Sequence, residues 1–127
     1  MIMKLFHCLI FSLLSSGFVS SERVIRINSG SIVGLENDEF YAYQGIPYAE
    51  PPVGELRFAP PKQFQQKWDG VKEFKEFGEM CAQYSHMGYT FQGKEDCLTL
   101  NVYVPKSVVE SEEKVPVIIC IHGKFLF

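Results

Sequence analysis

The chain has 127 residues, with 12 Lys and Arg against 15 Asp and Glu, a formal charge of −3 and 46% hydrophobic residues. That balance argues against nucleic acid or an anionic membrane surface as a partner. The length fits one small domain, and no internal repeat or low-complexity tract breaks it.

Residues 1–21 read as a secretory signal peptide, leaving residues 22–127 as the globular part. Lys4 supplies the positive start, and Leu5 to Leu14 is mostly apolar. That run is shorter than the about 20 residues a bilayer-spanning helix needs. Val19 and Ser21 suit the small positions before a cleavage at Glu22, and a site nearer Gly17 is also compatible. The expected destination is extracellular.

Val24 to Ile27 alternates as a strand, Asn28-Ser29-Gly30 marks a turn, and Ser31 to Leu35 resumes a strand, which together predict a hairpin. Asn37-Asp38 is a second turn, and the aromatic-rich Phe40 to Gln44 predicts a third strand. Gly45 to Gly54 holds three prolines and two glycines, which predicts an ordered loop rather than a helix or central strand. Asp69-Gly70 is a turn between Trp68 and Val71, and the spacing of Phe74 and Phe77 predicts a short helix that Gly78 ends. Leu98, Leu100, Val102 and Val104 alternate with polar or aromatic residues and predict a strand closed by Pro105. Glu110 to Glu113 reads as a solvated acidic loop. Val115 to Ile121 is apolar at nearly every position, which predicts a strand covered on both faces, as in the middle of a parallel sheet.

Cys8 leaves with the signal peptide, so Cys81, Cys97 and Cys120 remain. Cys81 and Cys97 lie in polar, turn-rich sequence, whereas Cys120 lies in the apolar run. This pairs Cys81 with Cys97 and leaves Cys120 as a free buried thiol. A disulfide closing a loop of this length contributes about 3 kcal/mol by restricting the unfolded chain. There is no Cys-x-x-Cys, so no zinc is expected, and no motif calls for any other metal or cofactor.

The histidines carry little alone. His7 is in the signal peptide, His86 reads as a surface residue between the two cysteines, and His122 is as compatible with a structural as with a functional role. No Gly-x-Ser-x-Gly elbow, no Ser/His/acid set and no glycine-rich phosphate loop is present.

Five segments in register change this reading: Gly45 to Phe58 (GIPYAEPPVGELRF), Trp68 to Val71 (WDGV), Cys81 to Gln83 (CAQ), Glu95 to Pro105 (EDCLTLNVYVP) and Val117 to Gly123 (VIICIHG). Together they resemble the N-terminal part of the type-B carboxylesterases, over essentially the whole chain from residue 22 to Gly123. That family holds insect carboxylesterases, juvenile hormone esterases and cholinesterases, and also the non-catalytic neuroligin-like adhesion proteins. The resemblance implies an α/β class, an α/β-hydrolase fold truncated here to its N-terminal strands. It implies an ester hydrolase working through an acyl-enzyme on a Ser-His-acid triad, acting on small lipophilic esters without a cofactor. The competing implication is a fragment of a neuroligin-like interaction protein.

The resemblance also assigns residues. Cys81 and Cys97 match the family's first disulfide. Arg57 and Glu95 match a buried ion pair, in which losing one partner strands a charge at a cost of about 3–5 kcal/mol. His122 and Gly123 match the lead-in to the His-Gly-Gly-Gly/Ala oxyanion loop, whose donor glycines would follow Gly123. Lys124 and Phe125 stand there instead, and the family's triad residues lie beyond Phe127, so no catalytic residue is expected in this chain. Gly-Lys-Phe is also what a splice-donor sequence would encode, so Lys124 to Phe127 reads as translated intron, with a truncated pseudogene product as the alternative. Catalytic cholinesterases place a tryptophan between the two cysteines to meet a quaternary ammonium. None occurs between Cys81 and Cys97, which disfavours choline esters.

Overall fold

The computed structural model describes residues 22–85, 90–111 and 113–121. The signal-peptide reading of residues 1–21, His86 and the stretch from His122 to Phe127 lie outside the described residues. Among the described residues eight strands and one short α-helix occur in the order β1 Val24–Ile27, β2 Gly30–Val33, β3 Leu35–Glu36, β4 Phe40–Pro47, β5 Val71–Glu73, β6 Gln83–Ser85, β7 Thr90–Gln92, β8 Thr99–Pro105 and α1 Lys106–Ser111.

β1 and β2 form the expected antiparallel hairpin, with Ile25 opposite Ile32. β5 adds to β2 in parallel, with Ser31 opposite Val71. This replaces the short helix predicted around Phe74 and Phe77: Phe74 is buried at 5% exposure, while Phe77 is 66% exposed. A helical face would have buried both rings. Strand pairing with β2 outweighs a three-residue spacing that Gly78 leaves too short to propagate.

β4 is the centre of a second sheet, between β3 and β8 and antiparallel to both. It runs three residues further than the sequence predicts, through Gly45-Ile46-Pro47. The register to β8 shifts between Tyr43 and Ile46. Proline is admitted because it sits at the strand's end, and the next amide, of Tyr48, donates to Leu98 O at 3.1 Å. Gly45 takes φ 75°, and a Cβ there would lie 2.8 Å from Glu76 O. Its N–H donates to Asn101 Oδ1 at 2.9 Å, so the irregularity leaves no orphan amide.

Phe74 joins the two sheets. Its N–H donates to Val33 O at 2.7 Å, and its carbonyl accepts from Gln44 N–H at 2.8 Å. Its ring lies in the core with Ile32, Tyr43 and Ile46, against which Ile25, Ile27, Tyr41 and Trp68 pack. Trp68 Nε1 donates to Ser31 O at 2.9 Å, and its ring centroid lies 5.7 Å from that of Phe74. Burial raises the Tyr43 phenol above its ordinary pKa, with Arg23 acting in the opposite direction.

α1 was not expected, since its residues read as the approach to an acidic loop. Its first residue fastens it: Lys106 N–H donates to Glu39 O at 2.9 Å, and Lys106 Nζ reaches Glu36 at 2.6 Å. The same ammonium lies over the Tyr41 ring. Hydrogen bonding to Glu36 holds Lys106 above the ordinary lysine pKa.

Replacing Ile32, fully buried in this core, with Ala should lower stability by about 2–5 kcal/mol. Val71→Ala, at a 53% exposed position of β5, should stay within about 0.5 kcal/mol. Proteolysis midpoints in urea would measure both, and equal losses would place the core elsewhere.

Candidate functional site

The proline-rich segment after β4 is held by its own carbonyls and one carboxylate. Val53, Leu56 and Arg57 fold over a 3-10 turn at Gly54–Leu56, with Arg57 N–H donating to Gly54 O at 3.2 Å. Glu50 staples the segment to the chain that follows Lys62. Its N–H donates to Lys62 O at 2.9 Å, and its carboxylate accepts from Gln65 N–H and Gln66 Nε2 at 2.9 and 3.3 Å. Prolines reduce the entropy lost in holding this path.

The structure forms the Cys81–Cys97 disulfide, with Cα atoms 5.0 Å apart. The loop it closes contains the β6–β7 hairpin, with Tyr84 opposite Phe91 and their rings edge to face at 5.2 Å. At its base Ala82 N–H donates to Lys94 O, Lys94 N–H donates to Met80 O, and Lys94 pairs with Glu79.

Arg57 Nη2 meets Glu95 Oε2 at 2.5 Å, joining the proline-rich segment to the disulfide loop. The two side chains are 51% and 42% exposed, so the pair is not buried as the sequence resemblance implies. In that setting it contributes about 0–1 kcal/mol, well below a buried pair. Phe58 follows at φ 61°, the one non-glycine residue with positive φ among the described residues, and is 98% exposed.

Between these clamped elements lies an apolar groove of about 300 Å³, lined by Tyr48, Pro52, Leu56, Ala59, Pro60 and Leu98 among others. Sequence reading missed it. The available signal was positional: Leu56 precedes Arg57, and Leu98 follows Cys97, so the two covalent and ionic links sit beside apolar walls.

Val115 to Ile121 corrects two expectations. It is not a strand among the described residues, and Val117, Ile118, Ile119 and Ile121 are 80–94% exposed. Cys120 is an exposed thiol rather than a buried one. A parallel strand exists only through neighbours on its edges and cover on its faces, and no described strand pairs with this run.

His122 and Gly123, the residues matched to the oxyanion-loop lead-in, lie outside the described residues, as do His7 and His86. No nucleophile–base pair involving a histidine can therefore be drawn among the described residues. Nor do those residues contain a group of three or more His, Cys, Asp or Glu able to hold a metal.

Comparison with known proteins adds the following. Residues 21–127 match the model of the carboxylesterase family. Esterase-5A of Drosophila persimilis is 39% identical over 108 residues, which cover 82% of this chain and 19% of the relative. Esterase-5B of Drosophila miranda is 36% identical over the same length. Among solved structures, a PNB esterase superposes with TM-score 0.57 at 32% identity, over 67% of this chain and 17% of that one. The Geobacillus stearothermophilus carboxylesterase EST55 does so with TM-score 0.54 at 39% identity, over 63% and 16%. The chain thus spans 19% of the length of the curated relatives it matches.

Replacing both Cys81 and Cys97 with Ser should cost about 3 kcal/mol, whereas Arg57→Gln should cost under about 1 kcal/mol. Urea denaturation would separate the two, and a loss of 3 kcal/mol or more for Arg57→Gln would contradict the half-exposed pair. Replacing Ile118 and Ile119 with Lys should raise the monomeric soluble fraction in size-exclusion chromatography, because exposed apolar runs drive association. An unchanged monomer fraction would count against that role.

Proposed function

The chain belongs to the carboxylesterase family, and from that membership we propose that residues 22–127 are the N-terminal portion of a secreted enzyme that hydrolyses carboxylic esters. The observation carrying this reading is the family match over residues 21–127, together with superposition of the described fold on solved esterases. Residues 1–21 serve as the secretory signal, and the Cys81–Cys97 disulfide fits an oxidising destination.

In this reading the described residues are scaffold. The two sheets and the disulfide loop precede the apolar run Val115 to Ile121, which leads to His122 and Gly123, where the oxyanion loop begins; in the complete protein that run finds its strand neighbours among later residues. Backbone N–H groups after such a lead-in stabilise the tetrahedral oxyanion, and each donor contributes about 10²–10³ in turnover. The nucleophile, base and acid are supplied by residues outside these 127, so this chain is inactive by itself. Substrates of the complete protein are small lipophilic esters. Choline esters are disfavoured because Trp68, the chain's one tryptophan, packs on Phe74 rather than standing in the disulfide loop.

Hydrolysis of p-nitrophenyl acetate and butyrate tests this. The 127-residue chain should release no p-nitrophenol above a heat-treated control, while a transcript continuing past Gly123 should encode a protein that does. Activity in the short chain would refute the scaffold reading. A full-length product lacking the Gly-x-Ser-x-Gly serine and inactive on both esters would instead favour a neuroligin-like interaction protein.

A further inference from the structure

Asp69-Gly70 is the one place in the 127 residues where an aspartate or asparagine precedes glycine. Both residues are exposed, in the bend between Trp68 and β5. Among the described residues no hydrogen bond reaches the Asp69 carbonyl or leaves the Gly70 N–H, and none engages the Asp69 carboxylate. The peptide plane joining the two residues can therefore rotate without breaking a bond. Gly70 stands at φ 74°, and a Cβ there would meet nothing within 4 Å. Glycine adopts either sign of φ at little cost, so the Gly70 side does not resist the rotation either.

The ends of the bend, by contrast, are fixed. Trp68 N–H donates to Ser29 O at 3.0 Å, Trp68 Nε1 donates to Ser31 O at 2.9 Å, and Val71 lies opposite Ser31 in the parallel pair. Asp69 and Gly70 form an unbonded tip between two points pinned to the same stretch of the β1–β2 hairpin. The Gly70 nitrogen can turn towards the Asp69 carboxyl carbon while both flanks stay in place.

We propose that Asp69-Gly70 is a site of spontaneous backbone isomerisation in the folded protein. The Gly70 nitrogen attacks Asp69 Cγ: the N–Cγ bond forms, the Cγ–OH bond breaks, and the hydroxyl leaves with the amide proton as water. One water molecule then opens the resulting succinimide. Addition at Cγ restores aspartate. Addition at the Asp69 carbonyl carbon yields isoaspartate, in which the main chain runs through Cβ and Cγ and the former backbone carbonyl is a carboxylate. The product lengthens the main chain by one carbon between the two pinned points. Open space at Gly70 takes up that carbon as a protrusion, so the Trp68 and Val71 attachments stay.

Trypsin cleavage after Lys67 and Lys72 releases residues 68–72, so the site is read on one peptide that carries the chain's tryptophan. The purified protein is held at neutral pH and physiological temperature, beside the same protein unfolded in guanidinium, and both are sampled over weeks. In the folded sample a second peptide of equal mass should accumulate. It should accept a methyl group from S-adenosylmethionine through an isoaspartyl carboxyl methyltransferase. Its rate should lie within about fivefold of the unfolded sample, the factor by which one intact native hydrogen bond would slow it. Asp69→Glu, whose side chain closes only a larger ring and far more slowly, should give no second peptide. Asp69→Asn should give the same two peptides, losing ammonia in place of water. The proposal is overturned if the folded protein accumulates no isoaspartyl peptide or does so more than about fivefold slower than the unfolded chain. A second peptide that persists in Asp69→Glu overturns it as well.

Discussion

Everything described here depends on the backbone of Phe74. Two hydrogen bonds, to Val33 O and from Gln44 N–H, place one residue between a parallel pair and an antiparallel sheet. The ring below them fills the space between Ile32, Tyr43 and Ile46. A residue that serves both sheets and the core fixes their separation, because the two hydrogen bonds and the close-packed ring admit one spacing. Burial of backbone groups away from water makes such paired bonds obligatory rather than optional.

From that junction the fold extends outward with less and less cover. β4 is the best-buried strand, β8 is exposed along most of its length, and Val117 to Ile121 is largely open to solvent. The family-matched motifs follow the same gradient. GIPYAEPPVGELRF begins inside β4 and ends on the exposed Phe58, while EDCLTLNVYVP begins at the ion pair and ends as β8. These motifs therefore join interior to surface, and the disulfide and Arg57–Glu95 hold the surface ends together.

Much of this was legible from residue pattern. The β1–β2 hairpin, the strand from Thr99 to Pro105 and the turn at Asp69-Gly70 carry local signals: alternation, glycine and proline. The pairing of Cys81 with Cys97 followed from polar surroundings. The failures are non-local. Phe74 and Phe77 show helical spacing, but β2 offers Phe74 a parallel partner more than forty positions earlier in the chain, which periodicity cannot register. Gly45-Ile46-Pro47 reads as loop because its prolines and glycines are loop residues, yet Asn101 and β8 satisfy the backbone there. Val115 to Ile121 has the composition of a central strand, but composition specifies a preference for neighbours and does not supply them. The groove and the exposure of Arg57 and Glu95 depend on packing between segments, for which no single-residue signal exists.

The lone tryptophan has a consequence of another kind. Trp68 is seated on Phe74, donates its indole N–H to Ser31 O, and lies 5.0 Å beneath the Lys72 ammonium. Indole emission responds to the polarity and charge around the ring, so the chain carries its own optical probe, placed where the two sheets meet. The groove and the hairpin contain no second indole to confuse it. Excited at the red edge, where tyrosine no longer absorbs, the protein emits from the junction alone and is silent about the proline-rich wall a few strands away.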